Sequence, residues 1–267
     1  MIVRTITCFA ALFLFSSCAT VSEIPDVSDR RYAEIISSYP QTEEVLQVPR
    51  LTYSSLLALS PAVQSQDVFV IVHPGYSFFF NNGMKKQRYR GAKFRMQELQ
   101  FSLEARFIAE QAHAGSIIVL VVPGNYPEDS IAPRSYTAYL NTTAQAGASV
   151  FYVPSITSSN GNLSGSDLVV LYQLLQSVKA RKVLLGGGYV GRCQREFYDQ
   201  LTSFYDQALT YVIREVSTIS PEDVSEREAS RIVAGIEQAD FSAVSRFLAK
   251  KLDDDTNIIS IPQQRDR

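Results

Sequence analysis

Three glycines in a row lead to a cysteine: residues 182–193 read KVLLGGGYVGRC. The apolar residues 183–185 predict a short strand, Gly186-Gly187-Gly188 a turn, and residues 194–208 a helix that opens at Cys193. Such a unit aims backbone N–H groups and the positive end of a helix dipole at whatever sits above the strand. A thiol there is expected to have a lowered pKa and a larger thiolate fraction, which is the chemistry of a nucleophile. The alternative is that Cys193 is a small buried hydrophobe.

The elements needed to hold such a site follow from the apolar pattern. Residues 68–72, 117–122, 150–153, 183–185 and 209–213 are short apolar runs and predict five strands. Amphipathic stretches at 92–114, 133–147, 166–179 and 194–208 predict the intervening helices, with closing helices in 221–252. Apolar strands alternating with helices imply a parallel sheet covered on both faces, with ligands bound beyond the strand C-termini where strand order reverses. That rim gathers His73, Gly75 and Tyr76; Asn125, Tyr126, Glu128 and Asp129; Ser155, Thr157 and Ser158; residues 186–193; and Arg214 and Glu215. Of these, Gly187, Gly188, Tyr189, Arg192, Tyr76 and Asn125 are the expected ligand-binding residues. Phe78-Phe79-Phe80 either walls the pocket or is core beneath the loop that follows.

Composition narrows the function. The chain has 267 residues, 46% of them hydrophobic, and a net charge of −2, so nothing draws it to nucleic acid. With two histidines, His73 and His113, and neither HExxH nor CxxC, no metal site and no cofactor are expected. Six basic residues (Lys85, Lys86, Arg88, Arg90, Lys93 and Arg95) crowd one short run, suited to lipid headgroups, anionic glycans or a phosphorylated ligand, or simply solvated.

The first residues form a targeting segment: Arg4, an apolar run at 6–15, then Ser16-Ser17-Cys18. This resembles the lipobox of bacterial lipoproteins, with Phe15 where that family usually has Leu. The resemblance implies a signal peptide at 1–17, a lipid on Cys18, and an outer-membrane anchor facing the periplasm. Cys8 would leave with the signal, so Cys193 is the only thiol left and no internal disulfide is expected. Residues 18–66 are read as a tether with short helices, 67–252 as the α/β domain and 253–267 as a flexible tail.

Residues 67–252 resemble the isochorismatase-like cysteine hydrolases. VFVIVHPGYSFFF is similar to that family's first strand and Phe-rich segment. SGSDLVVLYQLLQSVKARKVLLGGGYVGRC is similar to its last, with Gly187 six positions before Cys193. The resemblance implies a three-layer, Rossmann-like α/β fold, a parallel sheet with helices on both faces, and an Asp–Lys–Cys site. Here the Asp position carries His73, and the Lys would fall near Pro154 or Ser155, so only Cys193 matches. The family's strand order would set the first and fourth strands side by side and bring His73 to Cys193. His73 would then be the base, Gly187 and Gly188 would supply oxyanion N–H groups, and Glu128, Asp129 or Glu215 would orient the imidazole. His73 before Pro74 otherwise only hydrogen-bonds a turn.

The expected function is therefore that of a lipid-anchored periplasmic protein whose degenerate site binds a small ligand or an envelope partner. One alternative is a thiol-dependent hydrolase of a small amide or ester, using Cys193 and His73. Another is dinucleotide binding, because Gly186-x-Gly188-x-x-Gly191 fits GxGxxG and resembles the nicotinamide-binding turn of flavoprotein disulfide reductases, with Glu215 as the ribose acid. Oligomeric state is left open.

Overall fold

The computed structural model describes residues 27–39, 45–59, 66–84, 89–124, 133–145 and 149–261. The segment 1–17 expected to be a signal peptide, Cys18, Asn125, Glu128, Asp129 and the basic residues Lys85, Lys86 and Arg88 lie outside them.

Seven strands form one sheet in the order β4-β3-β2-β1-β5-β6-β7. They are β1 (Asp67–Val72), β2 (Ile117–Val122), β3 (Val150–Thr157), β4 (Asn160–Leu163), β5 (Lys182–Gly188), β6 (Thr210–Thr218) and β7 (Asn257–Ile259). All neighbours run parallel except the β3–β4 hairpin. Leaving β1, the chain builds outward through β2 and β3, then returns to the other side of β1 as β5. Strand order therefore reverses between β1 and β5, whose register runs from Asp67–Lys182 to Val72–Gly187.

Side-chain alternation explains the layers. Val68, Val70 and Val72 of β1 enter one core, while Phe69 and Ile71 enter the other. The first core is closed by α6 (Gly165–Ser177), α7 (Cys193–Thr202), α8 (Glu226–Glu237) and α9 (Ser242–Lys251), through Leu171, Leu174, Phe197, Leu201, Ile232 and Leu248. The second is aromatic. It is closed by α1 (Val27–Ser37), α3 (Tyr76–Met84), α4 (Gly91–His113) and α5 (Pro133–Gln145), and a short α2 (Tyr53–Ala58) lies near α6. Phe78 stacks on Phe101 at 4.7 Å, and Phe78, Phe79 and Phe80 are all buried, so this triplet is core. The architecture is the expected three-layer α/β fold with a parallel sheet and helices on both faces. Among the described residues no helix is long and apolar enough to cross a membrane.

Several boundaries differ from expectation: β3 runs on to Thr157, β5 to Gly188, and α7 stops at Thr202. Residues 253–261 are not a tail: Asn257–Ile259 pairs with β6, and Glu215 accepts the Ser260 hydroxyl at 2.6 Å and the Ile261 N–H at 3.2 Å. Strand β6 also runs on past the predicted end at 213 to Thr218, through a slip in register between Leu185–Val212 and Gly187–Ser217.

Candidate functional site

A cavity of about 260 Å³ opens at the C-terminal edge of the sheet, beside the β1–β5 switch point. Four segments wall it. The turn after β1 brings His73, Tyr76 and Ser77; the tip of the β3–β4 hairpin brings Ser158 and Ser159. The β5–α7 junction brings Gly188, Tyr189, Arg192 and Cys193, and the end of β6 brings Thr218.

His73 follows β1 with φ at 48°, a left-handed conformation rare for a residue with a Cβ and a common mark of functional turns. Its Nε2 lies 3.0 Å from Ser155 Oγ. That hydroxyl gives its one proton to the Thr157 carbonyl at 2.7 Å and accepts the Gly124 N–H at 3.0 Å. With that proton on Thr157 the ring is the donor, which assigns the proton to Nε2 and leaves Nδ1 as the basic nitrogen. Burial without a compensating charge lowers the His73 pKa to about 3, so the ring is neutral at physiological pH.

Cys193 is the first residue of α7, as expected, yet its thiol is not activated. The residue is 8% exposed, and burial, reinforced by the charge of Glu196, pushes its pKa up. The Sγ–H points at the Ser159 carbonyl, 3.4 Å away. Desolvation outweighs the helix N-terminus, which overturns the expectation of a lowered pKa.

Gly187 does not line the cavity. Its α-carbon faces the backbone of Val72, and the Gln194 amide donates to its carbonyl at 3.1 Å. Tyr189 is held by the Gln97 amide at 3.4 Å and by Ser77, with its phenol pushed up chiefly by burial. Arg192 is neutralised at the rim by Asp223 at 3.0 Å and Glu222 at 3.6 Å.

The dinucleotide reading loses both of its supports. Gly186, Gly187 and Gly188 lie inside β5 rather than in a loop, where they allow close approach of β1 and β6. Glu215 does not end its strand. It sits mid-β6, bound to Arg214 at 2.7 Å, and lines a separate hollow with Arg106, Glu110 and His113. For the same reason Glu215 does not orient His73. Of the basic run, Arg95 is taken up by Glu98 at 2.9 Å and Glu237 at 2.8 Å. Among the described residues no cluster of His, Cys, Asp and Glu is placed to hold a metal ion.

No protein-family model and no curated protein matches the chain. Solved structures similar to it include three of low sequence identity. A pyrazinamidase/nicotinamidase from Streptococcus mutans is 13% identical, over 73% of this chain and 100% of that one, with a TM-score of 0.42. The nicotinamidase from Staphylococcus aureus is 9% identical, over 73% and 99%, with a TM-score of 0.39. An isochorismatase-like hydrolase from Alkaliphilus metalliredigens is 14% identical, over 73% and 94%, with a TM-score of 0.37. Scores this low assign no chemistry, which has to come from the residues on the rim.

Those residues include several that no sequence pattern singled out: Ser77, Ser159 and Thr218 on the wall, and a polar stripe behind it. Gln97, Gln100 and Glu104 of α4 are all buried, on a helix read from its apolar spacing alone. The signal was available in their spacing of three and four, which puts three polar side chains on one helix face.

Proposed function

We propose that the chain is an envelope protein, lipid-anchored through Cys18, whose rim cavity binds a small uncharged ligand. One observation carries the binding reading: His73 and Cys193 share the cavity, and both are neutral, each with its proton committed to a neighbour. Around them stand the hydroxyls of Ser77, Ser158, Ser159 and Thr218 and the phenols of Tyr76 and Tyr189, while Arg192, the one cation of the lining among the described residues, is already paired. Such a wall suits a compact ring or amide that exchanges hydrogen bonds without bringing charge.

Thiol-dependent hydrolysis of a small amide or ester is the second reading. It is favoured by the place of Cys193 at the start of α7, in one cavity with a His73 whose Nδ1 is unprotonated. Energetics weigh against a preformed thiolate–imidazolium pair. Burial pushes the thiol up and the imidazole down, so each group favours its neutral form.

The two readings part in a thermal-shift screen of small neutral amides and heteroaromatic alcohols. A binding site gives compounds that raise the melting temperature of wild type and of Cys193→Ser alike, without turnover. A hydrolase gives product that Cys193→Ser abolishes, and that result would sink the first reading. Metabolic labelling with palmitate, lost in Cys18→Ser, tests the anchor.

A further inference from the structure

One buried carboxyl grips two walls of the cavity at once. Glu104 of α4, 1% exposed, accepts the Gly75 N–H at 2.6 Å on Oε1, and the Thr218 hydroxyl lies 3.4 Å from Oε2. Thr218 lines the cavity, and Gly75 belongs to the turn that delivers His73 and Tyr76 to it. The turn has little other freedom: Gly75 has φ at 65°, and a Cβ there would lie 2.7 Å from the Tyr139 ring. The rest of the stripe serves neighbouring parts of the wall. Gln97 donates to the Tyr189 hydroxyl, and Gln100 accepts the Ile219 N–H at 3.4 Å.

We propose that Glu104 is the positioning residue of the cavity, and that gain or loss of its proton resets the spacing between the His73–Tyr76 turn and the Thr218 end of β6. The inference rests on the cavity being the functional site and supplies its regulation by pH. In the acid form one oxygen accepts from Gly75 while the other can donate to Thr218. In the ionised form both oxygens accept, and a charge is left beside Tyr139, whose buried hydroxyl has no partner among the described residues. Burial lifts the carboxyl to about 8, so the change falls in a range where folded protein can be studied.

The titratable groups on the elements packed around it are engaged with one another. Those that act on it are Tyr139 on α5, with Tyr39 against it, and the turn beside it carries the neutral His73; α1 and α8, also packed on α4, hold charges such as Arg31 and Glu237 in ion pairs with Glu98 and Arg95. The cations Arg95 of α4, Arg214 of β6 and Arg192 beyond β5 are paired with Glu98, Glu215 and Asp223.

The Gly75 amide resonance reads the carboxyl directly, and alkylation of Cys193 by iodoacetamide reads the cavity. In wild type the Gly75 resonance should titrate with a midpoint near 8. The alkylation rate, divided by the thiolate fraction, should change about fivefold or more through the same midpoint, as expected for one buried hydrogen bond. Glu104→Gln keeps the shape and hydrogen bonds of the acid form, so it should lose both titrations and hold the low-pH rate throughout. Thr218→Val removes a hydrogen bond to the ionised form and should move the Gly75 midpoint upward. A Gly75 resonance that does not titrate, or a Glu104→Gln protein with the wild-type alkylation profile, overturns the proposal. A ligand bound equally well by wild type and Glu104→Gln at all pH values also overturns it, while leaving the cavity a binding site. If no compound binds but Glu104→Gln flattens the profile, the positioning role stands and the binding reading falls.

Discussion

His73 Nε2 reaches Ser155 Oγ across the end of β2, joining β1 to β3, two strands that do not touch in the sheet. Ser155 also takes the Gly124 N–H just past β2, so one hydroxyl fastens three strand ends below the cavity. Ser155→Ala should leave two buried donors unpaired and destabilise the protein by about 2–4 kcal/mol, measured by urea unfolding. It should also let the His73 ring turn, visible as a change in its carbon-bound proton shifts. An unchanged midpoint would mean that water replaces the hydroxyl.

Stability should depend on pH through two buried groups with opposite signs. His73 has its pKa lowered from 6.5 to about 3, so its neutral burial is fully tolerated above 6.5 and stability falls as pH drops toward 3. Glu104 has its pKa raised from 4.5 to about 8. The folded state therefore holds the proton more tightly, and stability falls as pH rises from 4.5 to 8. Between 4.5 and 6.5 the two slopes cancel, which predicts a plateau there with losses on either side. Glu104→Gln should abolish the decline between 6.5 and 8 and remove the plateau, so that stability climbs with pH up to 6.5 and then levels. Melting temperatures across this range check both limbs.

Alkylation of Cys193 by iodoacetamide at neutral pH should be slower than that of an ordinary exposed thiol, because burial and Glu196 raise its pKa. Glu196→Gln removes the like charge, so it should lower the thiol pKa and quicken the reaction. The effect should be modest, since burial is the larger cause. The sulfur's place in the cavity predicts that the native thiol still reacts, without unfolding. A thiol silent until denaturation would rule out the hydrolase reading.

The strands were legible because β1, β2 and β5 are apolar on both faces, and the rim followed from their C-termini. His73, Tyr76, Gly188, Tyr189, Arg192 and Cys193 all reach one cavity on that logic. Legibility failed where polar residues are consumed internally. Arg214 and Glu215 suggested a strand end, yet they sit inside β6 and secure the edge near β7, which the acidic run at 253–255 had disguised as a tail. The hairpin turn at Ser158–Ser159 has no apolar pattern, so neither β4 nor its place on α7 was foreseen. The state of Cys193 was misjudged because helix position is written in the sequence and solvent exposure is not.

Gly187 tests whether close approach of β1 and β5 is what shapes the cavity floor. It has φ at 81°, and a Cβ there would lie 2.0 Å from the Val72 carbonyl oxygen, a backbone atom that cannot move without its strand. Gly187→Ala should therefore push β5 from β1 at the switch point and cost several kcal/mol, about 3 or more, from steric strain and left-handed backbone together. Gly161→Ala makes the comparison. Its Cβ would meet the Cys193 carbonyl oxygen of α7, but Gly161 itself sits on the edge hairpin, which can lift away from α7. Its cost should be smaller, with Cys193 alkylation faster because the Ser159 carbonyl leaves the thiol. If Gly161→Ala destabilises as much as Gly187→Ala and leaves alkylation unchanged, the hairpin is no movable wall.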